Sequence, residues 1–106
     1  MPKYLLKVSY TAEGVKGVLK DGGSARKRAA EAAVKSTGGS LESMYFAFGD
    51  TDVYCVVDAP DNASVAAASM AIGASGLVRA TTVPLLTAEE IDQAAKKSVS
   101  YTPPGR

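Results

Sequence analysis

Residues 41–61 of the chain read LESMYFAFGDTDVYCVVDAPD, a pattern typical of a β-hairpin. Alternating apolar residues predict one strand over Leu41–Phe48 and a second over Thr51–Ala59, because successive side chains of a strand point to opposite faces. Gly49-Asp50 is typical of a tight turn, and Pro60 ends the second strand. The first strand should divide its side chains between two faces, with Met44, Phe46 and Phe48 on one and Leu41, Ser43, Tyr45 and Ala47 on the other.

The sequence before the hairpin predicts a strand followed by a helix in two parts. Lys3–Tyr10 alternates as a strand with one richly apolar face. Thr11 is suited to cap a helix, which the Gly22-Gly23 pair should end after two to three turns. Ser24 offers a second cap, and the alanine-rich run Ala25–Lys35 restarts the helix.

The sequence after the hairpin predicts a helix and a fourth strand. Asp61 is a suitable N-cap for a helix over Ala63–Ile72. Its inward side is expected to be formed by Val65, Ala68, Ser69 and Ile72. A strand follows over Leu77–Leu86, and Pro84 places that part of it at a sheet edge, because proline cannot donate to a strand ladder.

A short final helix has the clearest end signals. Thr87 is its predicted cap, and Glu89 and Glu90 in the first turn complement the helix dipole. Lys96 and Lys97 are expected in its last turn. The proline-containing residues 99–106 cannot continue the helix and predict an extended tail.

The element order βαββαβα predicts an α+β fold: a ferredoxin-like βαββαβ antiparallel sheet with an extra C-terminal helix. A chain of 106 residues has the usual size for one core. We therefore expect one domain over residues 1–98 and a tail over residues 99–106.

The sheet face turned away from the helices is predicted to be too apolar for contact with water. The apolar residues expected there are Leu5, Tyr45, Tyr54, Val56, Leu77, Val83 and Leu85. A second sheet is the simplest cover. Two copies packed face to face would form a dimeric α/β barrel, so the expected partner is the chain itself, in a homodimer or higher homo-oligomer.

Net charge and cysteine content limit the classes of partner and the location that are expected. The net charge of +1 provides no strong field for nucleic acid or an anionic membrane, so neither is an expected partner. The longest uncharged stretch, residues 63–78, is shorter than the roughly 20 apolar residues of a membrane span. Cys55 is the only thiol, and Lys3 and Lys7 interrupt any apolar signal run. A cytoplasmic location is therefore expected.

Several short motifs resemble the GYD domain family from Tyr4 to Lys97. They are Tyr10-Thr11-x-x-Gly14-Val15-Lys16, Arg26, Gly38-Gly39, Gly49-x-x-Asp52-Val53, Ala59-Pro60-Asp61, Gly76-x-Val78-Arg79 and Glu89-Glu90. The resemblance implies a ferredoxin-like fold of the dimeric α/β barrel type and assigns no reaction. Thr51 stands where the motif that names the family has tyrosine, so no role of that phenol carries over.

The first candidate site is the basic start of the second helical segment. Arg26 and Arg28 oppose the helix dipole there, and together with free helix amides they are suited to hold a carboxylate or phosphate. The alternative is a solvated basic surface in which either arginine pairs with Asp21 or Glu31. The match to a phosphate-binding loop is poor.

A second candidate group combines phenols, a carboxylate and a guanidinium. Tyr10, Tyr45, Asp52, Tyr54 and Arg79 could meet in a cleft between sheet and helices or between two sheets, and would suit an aromatic or acidic small molecule. In the alternative interpretation the tyrosines are core and interface residues, and Arg79 pairs with Asp58 or Asp52.

No cofactor and no metal are predicted. The chain contains no histidine, which removes the commonest general base, the usual haem ligand and the typical zinc ligand. Cys55 lies between Val53 and Val57, as a buried apolar residue would. Gly49–Asp52 superficially resembles a cation loop but lacks the later ligands of an EF-hand.

Three functions remain open from the sequence. The first is a domain that binds a small aromatic or acidic ligand in the barrel interior or at the subunit interface, oriented by Arg26, Arg79 or Tyr45. The second, by fold analogy alone, is a cofactor-free monooxygenase or isomerase with Asp52 or Tyr54 as acid or base. The third is a structural oligomerisation module. Ligand binding or catalysis requires a pocket of roughly several hundred Å³ lined by at least two of the named polar residues.

Overall fold

A computed structural model describes residues 1–106 and contains four strands and four helices in the order βααββαβα. The elements are β1 (Lys3–Tyr10), α1 (Ala12–Asp21), α2 (Gly23–Ser36), β2 (Ser40–Phe46), β3 (Val53–Asp58), α3 (Asn62–Ala74), β4 (Val78–Leu85) and α4 (Ala88–Ala95). All strand pairs are antiparallel and the sheet order is β2-β3-β1-β4. The predicted ferredoxin-like α+β arrangement is confirmed, with β4 at an edge as Pro84 indicates.

Helices α1, α2 and α3 lie on one side of the sheet, here called the helix face, and the other side is called the open face. The buried apolar core lies on the helix face, and its members are Tyr4, Leu6, Val8, Val34, Val53, Cys55, Val57, Ala59 and Val65. Only ten of the 106 residues are buried, so a single chain has a small core for its length. The expected inward side of α3 is confirmed, because Val65 is buried and Ala68, Ser69 and Ile72 are partly covered.

A β-bulge corrects the expected faces of β2. The register with β3 shifts between Leu41 and Ser43, which leaves Glu42 as the extra residue. Leu41 then packs against the core on the same face as Met44, instead of on the opposite face. The strand also ends at Phe46, so Phe48 lies beyond it and is fully exposed.

The interruption between the first two helices is confirmed, but the cap differs from the prediction. Gly22 ends α1 and precedes α2 with a φ of 83°, a value that glycine adopts without strain. Because α2 begins at Gly23, Ser24 lies inside the helix and is not its N-cap. Thr11 does cap α1 and accepts a hydrogen bond from the Gly14 amide at 3.2 Å.

Helix α1 crosses the turn between α3 and β4 at very short range. Gly14 is buried there, and the Leu77 carbonyl accepts a hydrogen bond from the Thr11 amide at 3.0 Å. Leu77 precedes β4 and lines a groove beside α1, so the expectation that it belongs to the open face is wrong.

The predicted caps of the last two helices are confirmed. Asp61 accepts a hydrogen bond from the Ser64 amide at 2.8 Å, and this bond lowers the pKa of the Asp61 carboxyl. Thr87 and Glu90 form a reciprocal capping box at the start of α4. Lys96 and Lys97 lie just after α4 instead of in its last turn. None of the four helices has both the length and the apolar character needed to cross a bilayer.

Candidate functional site

The seven residues predicted as site candidates fall on different sides of the sheet. Tyr10 and Arg26 meet on the helix face, where both line the same cavity. Asp52 lies at the end of β1 beside Tyr10. The strand register places Tyr45, Tyr54 and Arg79 on the open face, while Arg28 is exposed on α2. The five residues of the second candidate group therefore do not share one cleft.

The helix–sheet cavity lies between the sheet and helices α2 and α3. It has a volume of about 110 Å³, and 15 of its 16 lining residues are hydrophobic. Arg26 is the one charged residue of the lining, so a polar group inside the cavity has a single cationic partner. Its walls include Ala29, Ala33, Met44, Cys55 and Ala68.

Small side chains on the two helices explain why this space exists. The alanines of α2, at positions 29, 30 and 33, lie across from Ala68 and Ile72 of α3. A methyl group cannot fill the distance between two helices that rest on the same sheet. The space between the helices is therefore a consequence of the alanine-rich composition that also favours their helical structure.

An outer groove of about 300 Å³ adjoins this cavity. Tyr10, Arg26, Ile72 and Val78 line both spaces, which places the phenol and the guanidinium at the junction between them. The remaining groove lining is more polar and consists of Gly14, Gly17, Asp21, Ser75 and Leu77. The inner cavity is smaller than the pocket that ligand binding was expected to need, whereas the outer groove reaches that range.

Tyr10 contributes a neutral phenol to the junction, and Arg26 contributes a guanidinium without an ion-pair partner. Burial raises the pKa of the Tyr10 phenol above its ordinary value of 10.0, and the neighbouring Arg26 guanidinium opposes this shift without cancelling it. The phenol is therefore neutral at physiological pH and can donate a hydrogen bond. The ion pairs of the chain involve Lys3 and Lys16, so Arg26 forms no ion pair with Asp21 or Glu31.

Asp52 holds the end of β1 that carries Tyr10. Its carboxylate accepts a hydrogen bond from the Tyr10 amide at 2.8 Å. Its backbone amide donates to the Val8 carbonyl at 2.8 Å, and its carbonyl accepts from Ala47 at 2.7 Å. Three hydrogen bonds thus fix Asp52 between β1 and the loop after β2, which makes it a positioning residue for Tyr10.

Cys55 contributes an apolar surface to the cavity floor. The residue is buried, as expected, and burial raises the pKa of its thiol. The thiol form therefore predominates at neutral pH, and the side chain acts as a small hydrophobic group in the cavity lining.

The open face carries the other aromatic candidates. Tyr45 of β2 lies directly opposite Tyr54 of β3, and Arg79 lies opposite Ser9 of β1. Asp58 does not pair with Arg79, because Lys3 contacts it at 2.9 Å and also contacts Glu42 at 3.3 Å. The ion pair with Asp58 or Asp52 considered for Arg79 is absent.

Sequence reasoning missed the alanine walls of the cavity. Alanines at positions 29, 33 and 68 indicate helix formation in the sequence, but their shared cavity depends on how α2 and α3 are spaced on the sheet. Arg26 was identifiable, because a cation at the start of a helix opposes the dipole.

Replacing Tyr10 by phenylalanine is expected to reduce the loss of stability at alkaline pH. The raised pKa means that the folded state binds the phenol proton more tightly than the unfolded state. This contribution is fully present below the unfolded pKa of about 10 and is lost as pH rises through the folded pKa. Urea midpoints measured between about pH 9 and 11 should fall more steeply for the wild type than for Tyr10→Phe.

Tyr101→Phe is the matched control for this measurement. Tyr101 is exposed in the single chain, so at protein concentrations too low for self-association its replacement should leave the wild-type pH dependence unchanged. Equal slopes for the wild type and Tyr10→Phe would contradict the assignment of a partly buried, neutral phenol to Tyr10.

Comparison with known proteins identifies the family but not an activity. No curated protein sequence matches the chain. The family model of the GYD domain matches residues 4–95, which include all of β1 except Lys3, the other three strands and all four helices. The match spans most of the 106 residues, in agreement with the resemblance of the short motifs. The chain therefore belongs to the GYD domain family.

Proposed function

We propose that this chain is a small homo-oligomeric binding domain that holds a carboxylic acid with a short alkyl or aromatic group in the helix–sheet cavity. The observation that carries the proposal is the junction of the two spaces, where Arg26 and Tyr10 stand at the mouth of an otherwise apolar cavity. A carboxylate placed there receives hydrogen bonds from a guanidinium and a neutral phenol.

The shape and lining of the cavity define the ligand class. A cavity of about 150 Å³ accommodates benzene, so the 110 Å³ here suits a group of roughly four carbon atoms, and a phenyl ring would extend partly into the outer groove. Its walls offer no polar partner apart from the two residues at the mouth, which favours a hydrocarbon tail over a sugar or an amino acid. Larger polar substituents would extend into the outer groove.

A panel of acids and their neutral amides tests this proposal. Butanoate, hexanoate and benzoate should raise the melting temperature, whereas the corresponding amides should have little effect. A ligand at about 100 times its Kd stabilises the folded state by about 2.7 kcal/mol. In Arg26→Gln the affinity for the acids should fall by about 10- to 100-fold, because a charge-assisted hydrogen bond is lost.

Arg28→Gln provides the matched control. Arg28 lies on the same helix and is exposed, outside both the cavity and the groove, so this variant should bind as the wild type does. The proposal is wrong if none of the acids stabilises the chain, or if Arg26→Gln and Arg28→Gln bind them equally. Loss of binding in Arg79→Gln alone would move the site to the open face.

Self-association through the open face is the second part of the proposal. The centre of this face carries Leu5 and Val56, which are neighbours on the two central strands, and Leu85 lies at the end of the edge strand β4. Tyr45, Tyr54 and Val83 are exposed on the same side. No helix covers these side chains. Because the single chain has a small core, packing a second sheet on this face would add buried apolar surface.

The arrangement favours binding over the cofactor-free enzyme considered from the sequence. The carboxylate of Asp52 already accepts the Tyr10 amide, and Tyr54 lies on the opposite face from the cavity. Neither group that was considered as acid or base lines the helix–sheet cavity.

A further inference from the structure

The C-terminal arm, defined as residues 86–106, extends away from the rest of the molecule. Every residue of the arm is exposed, and α4 lacks the packing contacts that the sheet and the other helices make with one another. The radius of gyration is 16.9 Å, compared with about 13 Å for a compact chain of this length. The longest dimension of 56 Å likewise indicates an extended segment.

Helix α4 has an apolar side that nothing in its own chain covers. Ala88, Ile91 and Ala95 follow one another at helical spacing, and Ile91 is 51% exposed. Isolated helices of eight residues are marginal in water even with a good cap, because nucleation is costly. The capping box at Thr87 therefore marks a helix that requires a packing partner.

The charges of the arm complement charges left unpaired on the open face. Glu89 and Asp92 lie three residues apart on α4, and neither has a cationic partner. On the open face, Lys7 and Arg79 lie on adjacent strands in diagonal positions, and neither has a carboxylate partner. Two acidic and two basic groups thus remain available within each chain.

The position of the arm favours a second copy of the chain as the binding partner for its acidic residues. The arm leaves the sheet at Leu85, whereas Arg79 lies at the other end of β4, and α4 lacks the packing contacts with its own sheet that the other helices make. An isologous pair relates the two sheets by a two-fold axis, which can bring the Leu85 end of one β4 beside the Arg79 end of the other.

The area of the open face supports the same conclusion. Four strands about 4.8 Å apart and about seven residues long present roughly 19 × 23 Å, which is on the order of 450 Å². A stable interface buries about 800 Å² on each partner. The flat footprint of the open face is thus smaller than the accessible area that a stable interface buries, and the arm adds further surface to it.

We infer that the arm of each protomer docks beside the packed sheets, at the Arg79 end of the open face of a second copy, with Glu89 and Asp92 beside Lys7 and Arg79. This inference rests on the self-association proposed above and specifies which residues of the two copies are in contact. Each arm binds the sheet of the other copy, so the contact between arm and sheet forms twice in one dimer.

Charge reversal in two separate full-length chains tests the inference. One chain carries Lys7→Glu and Arg79→Glu, and the other carries Glu89→Arg and Asp92→Arg. Each chain alone opposes like charges, so its dimer Kd in sedimentation equilibrium should rise about tenfold or more. In an equimolar mixture, both contacts between unlike chains are again complementary, and the Kd should return to within about threefold of the wild type.

A chain with Lys20→Glu and Lys35→Glu controls for net charge, because both lysines are exposed on the helix side and make no ion pair. Its Kd should match the wild type. Unchanged dimerisation in the two charge-reversed chains, or no restoration in the mixture, would overturn the arm contact while leaving self-association intact. A wild-type chain that remains monomeric at all concentrations would overturn both proposals.

Discussion

Gly14→Ala is expected to destabilise the fold by about 2–3 kcal/mol. A Cβ atom on Gly14 would lie 2.1 Å from the Leu77 carbonyl oxygen and 3.1 Å from its carbon. These are backbone atoms, and the oxygen is held by the Thr11 amide, so a side-chain rotation cannot relieve the contact. Helix α1 would have to move away from the turn between α3 and β4.

Gly17→Ala is the matched control in the same helix. A Cβ atom on Gly17 would meet no atom within 4 Å, and the residue has ordinary helical geometry. Alanine should therefore stabilise the chain by about 0.5–1 kcal/mol, because it lowers the entropy of the unfolded state. Urea denaturation of the two variants measures both effects. Shifts in the same direction for both would contradict the close approach at Gly14.

Val56→Asp is expected to weaken self-association by about 100-fold or more. Val56 lies on the central strand β3, beside Leu5 and opposite the bulged strand β2. In the proposed pair a carboxylate at this position would be buried between two sheets. The cations diagonal to it on β1 already have carboxylate partners there, Lys3 in Asp58 and Glu42 and Lys7 in the arm of the second copy. In a free chain the same carboxylate faces water, so folding should be affected much less than association.

Met70→Asp separates this effect from a general consequence of added charge. Met70 is 73% exposed on α3, on the opposite side of the molecule, and its replacement adds the same charge. Sedimentation equilibrium should show the wild-type association constant for Met70→Asp and a monomer for Val56→Asp, with cooperative unfolding in both. If Val56→Asp associates as tightly as the wild type, the open face is not the interface.

The architecture was predictable because local signals agree with the global arrangement. The alternation in β1 and β3, the caps at Thr11, Asp61 and Thr87, and the edge signal of Pro84 each correspond to a feature of the structure. The bulge at Glu42 was not predictable, because it depends on how β2 pairs with β3 and leaves no mark in a single strand. It changes the face of Leu41 and so one wall of the cavity.

The candidate site was only partly predictable for a similar reason. Arg26 was identified by a conflict with the helix dipole, which is visible in the sequence. Tyr10 was grouped with Tyr54, although the register places Lys7 opposite Tyr54 and Tyr10 on the other face. Alternation divides each strand into two faces, but only the pairing of strands shows which faces coincide.

A titration of the isotopically labelled chain with benzoate, followed by amide NMR shifts, tests the central claim most directly. The claim predicts saturable shifts at residues that line the helix–sheet cavity, including Ala29, Ala33, Cys55 and Ala68. Benzamide should cause much smaller shifts, because it lacks the charge that Arg26 recognises. An absence of saturable shifts, or shifts confined to Tyr45, Tyr54 and Arg79 on the open face, would contradict the claim.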